Sequence, residues 1–133
     1  MCQTTTPMAR LPFRKIFPFR AMPFRAMPFR AITVSGNSMT PTYNDGDWLI
    51  FRVIRKEGVS SPQDLVRKVV VIQRESYPGI HFIKRVVRAD STGLWVEGDN
   101  ADASTDSRQW GALPPQEIIG RVLLRYRRGM VSG

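Results

Sequence analysis

From Ile32 onward the chain alternates short runs rich in Val, Ile, Phe and Trp with spacers rich in turn formers, and this spacing limits the folds open to it. The candidate strands are 47–54 "DWLIFRVI", 66–73 "VRKVVVIQ", 80–88 "IHFIKRVVR", 93–97 "GLWVE" and 117–126 "EIIGRVLLRY". Most of the connections, such as "SYPG" and "ADSTG", are too short to hold a crossover helix, so hairpins are favoured over parallel units. Only "SPQDLVRK" offers a capped turn of helix. The pattern predicts a mostly β domain over residues 32–133, built as an antiparallel sheet or small barrel. At 133 residues the chain has room for one modest core.

Residues 1–31 have a different character. Pro-Phe-Arg recurs at 12–14, 18–20, 23–25 and 28–30, and a five-residue step fits neither helix nor strand. Pro18, Pro23 and Pro28 each oppose helix, so this segment is expected to be an extended or disordered arm. It holds six of the cations behind the net charge of +9 and no acid. It is either a solvated tail or an interfacial arm, in which residues 10–30 lay Phe13, Phe19, Phe24 and Phe29 on an anionic membrane surface. The remaining hundred residues carry only +3, which does not call for nucleic acid as a partner.

Several chemistries are closed by residue supply. One cysteine, Cys2, and one histidine, His81, leave no disulfide framework and no Cys/His zinc site, so no metal or cofactor is expected. No run approaches the roughly 18 apolar residues of a spanning helix, and the start does not read as a secretory leader. The expected location is the cytoplasm, with any membrane contact confined to the arm.

Three positions depart from an ordinary β domain. In "VSGNSMTPTYNDGDW", Ser38 sits on a turn where its hydroxyl is either a loop residue or a nucleophile. In strand 80–88, period-two alternation puts Lys84 on a face with Ile80, Phe82 and Val86, opposite His81 and Ile83. Either Lys84 lies near a sheet edge and its amine snorkels to water, or it is buried and neutral and can take a proton. The pattern leaves both open. The segment Gly98–Gly111, "GDNADASTDSRQWG", is either a turn-rich surface loop or an ordered one, with Asp106 and Arg108 paired and Ser104 presented to a buried amine.

The stretches "GNSMTPT", "DGD", "FIKRVV" and "GDNADASTDSRQWGALPPQEIIGRV" resemble, in the same order, the boxes of the type I signal peptidases, over residues 34 to about 125. The resemblance implies a serine endopeptidase with a Ser-Lys dyad that removes an N-terminal leader from a precursor protein. Ser38 falls on the nucleophile, Lys84 on the general base and Ser104 on the residue that orients the lysine, with Asp106 and Arg108 as the supporting pair. The chain is shorter than the exporting enzymes and has Gly36 where many of them carry a serine that helps bind the oxyanion. The oxyanion site is therefore expected from backbone N–H groups at Gly36 and Ser38. Short chains of this kind resemble the maturation proteases of nickel-type superoxide dismutase, which makes that dismutase precursor the implied substrate. The alternatives are a general signal peptidase for exported proteins, a self-cleaving SOS-repressor-type domain and a non-enzymatic binding module. No Ala-Gly or Cys-Gly dipeptide precedes Ser38, which argues against self-cleavage.

Overall fold

The computed structural model describes residues 28–55 and 61–129. Six strands form one antiparallel sheet: β1 (Phe29–Thr33), β2 (Trp48–Val53), β3 (Val69–Gln73), β4 (His81–Asp90), β5 (Gly93–Glu97) and β6 (Ile118–Arg127). Their order is β1-β2-β6-β3-β4-β5, with β1 and β5 at the edges, so the sheet is open and is not a closed barrel. Among the described residues the helical content is slight: 3-10 turns at Pro62–Leu65, Ala101–Ala103 and Pro115–Glu117, and one α-helical turn, α1 (Ser107–Trp110).

Both faces of the sheet's middle are buried. In β3, "VVVIQ", Val69 and Val71 enter a core with Ile32, Val34, Met39, Leu49, Phe51, Ile83 and Val122, while Val70 and Ile72 enter a second with Phe82, Val86, Leu94, Val96, Leu113 and Ile118. A continuous apolar run is what a strand covered on both sides requires. Each such side chain contributes about 1.5–3 kcal/mol relative to exposure. In β4 the register shifts between Val86 and Arg88, and this bulge turns Ala89 inward in place of Arg88.

The first strand begins inside the segment read as an arm. Phe29 and Arg30, from the last Pro-Phe-Arg copy, pair with Arg52 and Phe51, and the Pro28 carbonyl accepts from Val53 N–H at 2.8 Å. The boundary expected at residue 31 therefore falls within β1. Proline is tolerated there because it enters an edge strand. Residues 1–27, which hold the other three copies, lie outside the described residues.

Candidate active site

Ser38 lies five residues beyond β1, on the turn that leads to β2, and its side chain is fully buried. Gly36, two residues earlier, has φ +92°, a conformation that costs a glycine little. Met39 is buried in the first core and pins the turn from beneath. The turn closes onto Asp47, whose carbonyl accepts from Val34 N–H at 2.8 Å. The Asp47 side chain, almost wholly buried, accepts from the N–H groups of Asn44 and Gly129 and from Arg125.

Lys84 lies in mid-β4 and is fully buried, as are Phe82 and Val86 on the same face. The snorkelling position does not occur. Lys84 Nζ donates to Ser104 Oγ at 2.9 Å, and Ser104 Oγ donates to Asp106 Oδ2 at 2.5 Å. Asp106 also accepts from Gly98 N–H at 2.8 Å and from Arg108 through N–H, Nε and Nη2 at 3.1, 3.0 and 2.7 Å. Burial raises the Asp106 carboxyl, but hydrogen bonds from Arg108, Ser104 and Gly98 outweigh it and hold the group well below the usual carboxylate range.

The Gly98–Gly111 loop is thus ordered by its own side chains. Asp106 caps α1, and Gln109 Oε1 accepts from Asp106 N–H at 2.9 Å to complete a capping box. Ser107 Oγ accepts from Val96 N–H at 2.9 Å, fastening the turn to β5. An Asp followed three residues later by Gln is a helix-start signal that the sequence reading passed over.

Gly98 marks where the two boxes meet. A Cβ on it would lie 2.3 Å from Ser104 Oγ and 2.6 Å from the Ser38 carbonyl oxygen, so only glycine permits this approach. Asn100 N–H donates to that same carbonyl at 2.9 Å, and Asn100 Nδ2 donates to the Asn37 carbonyl at 3.1 Å and to Thr40 Oγ1 at 2.9 Å. Asp99 takes both Nε and Nη2 of Arg85 at 2.9 and 2.8 Å and accepts from Thr42 Oγ1 at 2.6 Å. Arg85, Asp99 and Asn100 thereby tie the lysine strand to the serine turn. Sequence reasoning missed these three, because their partners are distant in the chain.

Two other positions singled out in the sequence, His81 and Gly36, are placed as follows. His81 is half-buried on the opposite face of β4, and burial, with the nearby Arg30 charge, pushes its pKa down. Gly36 N–H, expected as an oxyanion donor, donates to Asp45 Oδ1 at 2.8 Å within the turn. Among the described residues no three of His, Cys, Asp and Glu converge to hold a metal ion. Among the same residues no helix is long and apolar enough to cross a membrane.

The sequence profile described as "Signal peptidase, peptidase S26" matches residues 16–90 and 87–127, most of the chain. The chain belongs to the signal peptidase S26 family. It is 28% identical over 114 residues to mitochondrial inner membrane protease subunit 1 of Xenopus tropicalis, covering 71% of this chain and 66% of that protein. It is 32% identical over 88 residues to a probable chloroplastic thylakoidal processing peptidase 2 of Arabidopsis thaliana, covering 63% of this chain and 24% of that protein. A probable signal peptidase I-1 of Synechocystis shares 48% over 40 residues, 30% of this chain and 20% of that protein. The chain therefore spans just under two thirds of the mitochondrial relative and a quarter or less of the other two.

Proposed function

We propose that this chain is a serine endopeptidase that removes an N-terminal leader from a precursor protein, with Ser38 as nucleophile and Lys84 as general base. The reading rests chiefly on a lysine amine buried in mid-sheet with Ser104 as its partner, in a loop that also touches the Ser38 turn. A serine hydroxyl is a weak nucleophile until a positioned base takes its proton. Charging an amine among apolar side chains is costly, which favours the neutral form that a base needs. Ser104 is then the orienting residue, and Asp106 with Arg108 holds Ser104.

Lys84 Nζ takes the Ser38 proton as Oγ attacks the scissile carbonyl. The oxyanion forms against backbone N–H at the Ser38 turn, as the resemblance implies for Ser38, while Gly36 N–H donates to Asp45 Oδ1. Collapse breaks the C–N bond, and the Lys84 ammonium returns its proton to the departing amine. Water then attacks the acyl-enzyme, giving its proton to Lys84, and the leader leaves as a carboxylic acid with Ser38 restored. An extended substrate can be held by main-chain hydrogen bonds along a strand edge near Ser38.

The substrate we put first is the nickel superoxide dismutase precursor, on the resemblance to the short maturation proteases. A general signal peptidase is the second reading, favoured by the thylakoidal and cyanobacterial relatives. The test is co-expression of each precursor with wild-type, Ser38→Ala or Lys84→Ala chain, reading new N-termini by mass spectrometry. Cleavage should need both residues, the loss being on the order of 10³-fold or more. Cleavage of either precursor by folded Ser38→Ala protein rejects the dyad. Processing of a secretory leader alone selects the second reading.

A further inference from the structure

We propose that Arg74, Glu117 and Trp110 form a clasp that positions the α1 turn against β4 and, through Asp106 and Ser104, sets the direction of the Lys84 amine. The inference deepens the Ser38–Lys84 reading and rests on it, with the three as positioning residues. α1 is a single four-residue turn, too short to hold its own shape in water. Asp106, the carboxylate that accepts from Ser104, caps its start. Trp110, its last residue, is the other anchor. The Trp110 ring meets Phe82 edge-on with centroids 5.0 Å apart, and Phe82 is fully buried two residues before Lys84 on the same face of β4. One indole thus sets the spacing between the loop that holds Ser104 and the strand that holds Lys84. Edge-on ring pairs are worth more than their buried area alone.

The indole is itself held from the hairpin between β3 and β4. Arg74, just past β3, places Cζ over the Trp110 ring, 5.0 Å from its centroid, and its Nε donates to Glu117 Oε1 at 3.1 Å. Glu117 Oε2 accepts from Glu75 N–H at 3.1 Å, so both carboxylate oxygens are used. Glu117 is buried at the entrance to β6, and Tyr77 packs edge-on against Phe82 at 5.7 Å from the hairpin side. The hairpin, the end of α1 and the start of β6 therefore meet on one guanidinium. A buried ion pair adds little net stability over an apolar pair of similar volume, because desolvation offsets the attraction. What it supplies here is direction. Apolar contact is non-directional, so Phe82 alone would not fix the indole, whereas a planar guanidinium held by Glu117 stacks on it in a set orientation.

The full chain is assayed with whichever of the two precursors the wild type cleaves, alongside amide hydrogen exchange followed by NMR. Trp110→Ala should lower kcat by about 10- to 100-fold with KM little changed, as a misplaced base would, and Trp110→Phe should recover most of the loss. Arg74→Gln, which leaves the core side chains in place, should lower kcat in the same way. In a Ser104→Ala background, Trp110→Ala should cost less than about twofold more, since the clasp acts through Ser104. Losses that multiply, or a change in KM alone, overturn the proposal. Gly98 N–H, which donates to Asp106, should exchange faster in Arg74→Gln and Trp110→Ala, while Val71 N–H in β3 exchanges as in wild type. Exchange at Gly98 equal to wild type in both variants also overturns the clasp. A wild-type chain that cleaves neither precursor defeats the Ser38–Lys84 reading, and exchange at Gly98 then decides the clasp by itself.

Discussion

Lys84 Nζ and Ser104 Oγ lie 2.9 Å apart, the amine donating, and the same hydroxyl donates onward to Asp106. Ser104→Ala removes the oxygen that orients a buried amine and leaves Asp106 one donor short. A hydrogen bond to a charged or buried partner is worth about 1.5–3 kcal/mol, so kcat should fall by about 10- to 100-fold with KM little changed. Ser104→Thr, which keeps the hydroxyl, should recover part of the rate. With a lysine base, the wild-type rate should rise from mildly acidic to alkaline pH when chemistry limits. A flat profile, or a Ser104→Ala enzyme that differs from wild type only in KM, would count against this arrangement.

Asp106 couples the loop to pH. Its carboxyl titrates below its ordinary value in the folded chain, so the stability it contributes is present above the unfolded-state pKa near 3.8 and is lost as pH falls towards the lower folded value. Asp47 and Asp99 are lowered as well, through hydrogen bonds that outweigh the effect of burial, and they act in the same direction. Asp106→Asn should therefore melt well below wild type at neutral pH, while the gap narrows as the solution is acidified below about pH 4. A hydrogen bond to a charged group is worth about 1.5–3 kcal/mol and the amide keeps part of the set, so the neutral-pH difference should be about 2–3 kcal/mol. A gap that stays constant from neutral to strongly acid solution would refute the linkage.

Asn100 is the most economical link between the two boxes, since one residue bonds to Asn37, Ser38 and Thr40. Asn100→Ala loses the two side-chain bonds and retains the backbone bond to the Ser38 carbonyl. Each lost bond is worth about 1 kcal/mol, and the serine turn should loosen by that amount. The expected result is a drop in kcat of about tenfold or more with a modest fall in melting temperature. Labelling of Ser38 by a serine-directed phosphonate, followed by mass spectrometry, should slow in parallel with the rate. Labelling at the wild-type rate would show that the turn holds its position without Asn100.

Much of this arrangement was legible in the sequence. Strands β2 to β6 fall where short apolar runs meet turn residues, because burial and hairpin spacing act locally. The alternation of strand 80–88 placed Lys84 on a face with Phe82 and Val86, but left open whether its amine is buried or snorkels, which depends on β4 lying inside the sheet between β3 and β5. The Asp106–Arg108 pair was also readable, its members being two residues apart. β1 was hidden by the five-residue repeat, whose last copy gives Phe29 and Arg30 to the sheet. The Arg85–Asp99 and Asn100–Ser38 links join positions 14 and 62 residues apart, and only the folded chain brings them together. The hydrogen bond from Gly36 N–H to Asp45, nine residues away, was hidden for a similar reason.

The position of β1 fixes where the chain can be shortened. A chain starting at Met27 keeps Pro28, whose carbonyl accepts from Val53, and the cross-strand pairs of Phe29 with Arg52 and Arg30 with Phe51. A chain starting at Ala31 loses all three and leaves the start of Ile32–Val34 held by a shortened edge strand. Two or three ladder contacts at a sheet edge, each worth about 1 kcal/mol or less once water replaces them, predict a destabilisation of about 1–2 kcal/mol. In a domain of this size that lowers the melting temperature by several degrees. Because β1 leads directly into the Ser38 turn, peptidase activity should fall along with it. Equal melting temperatures for the two truncations would show that Pro28 to Arg30 contribute nothing to the folded sheet.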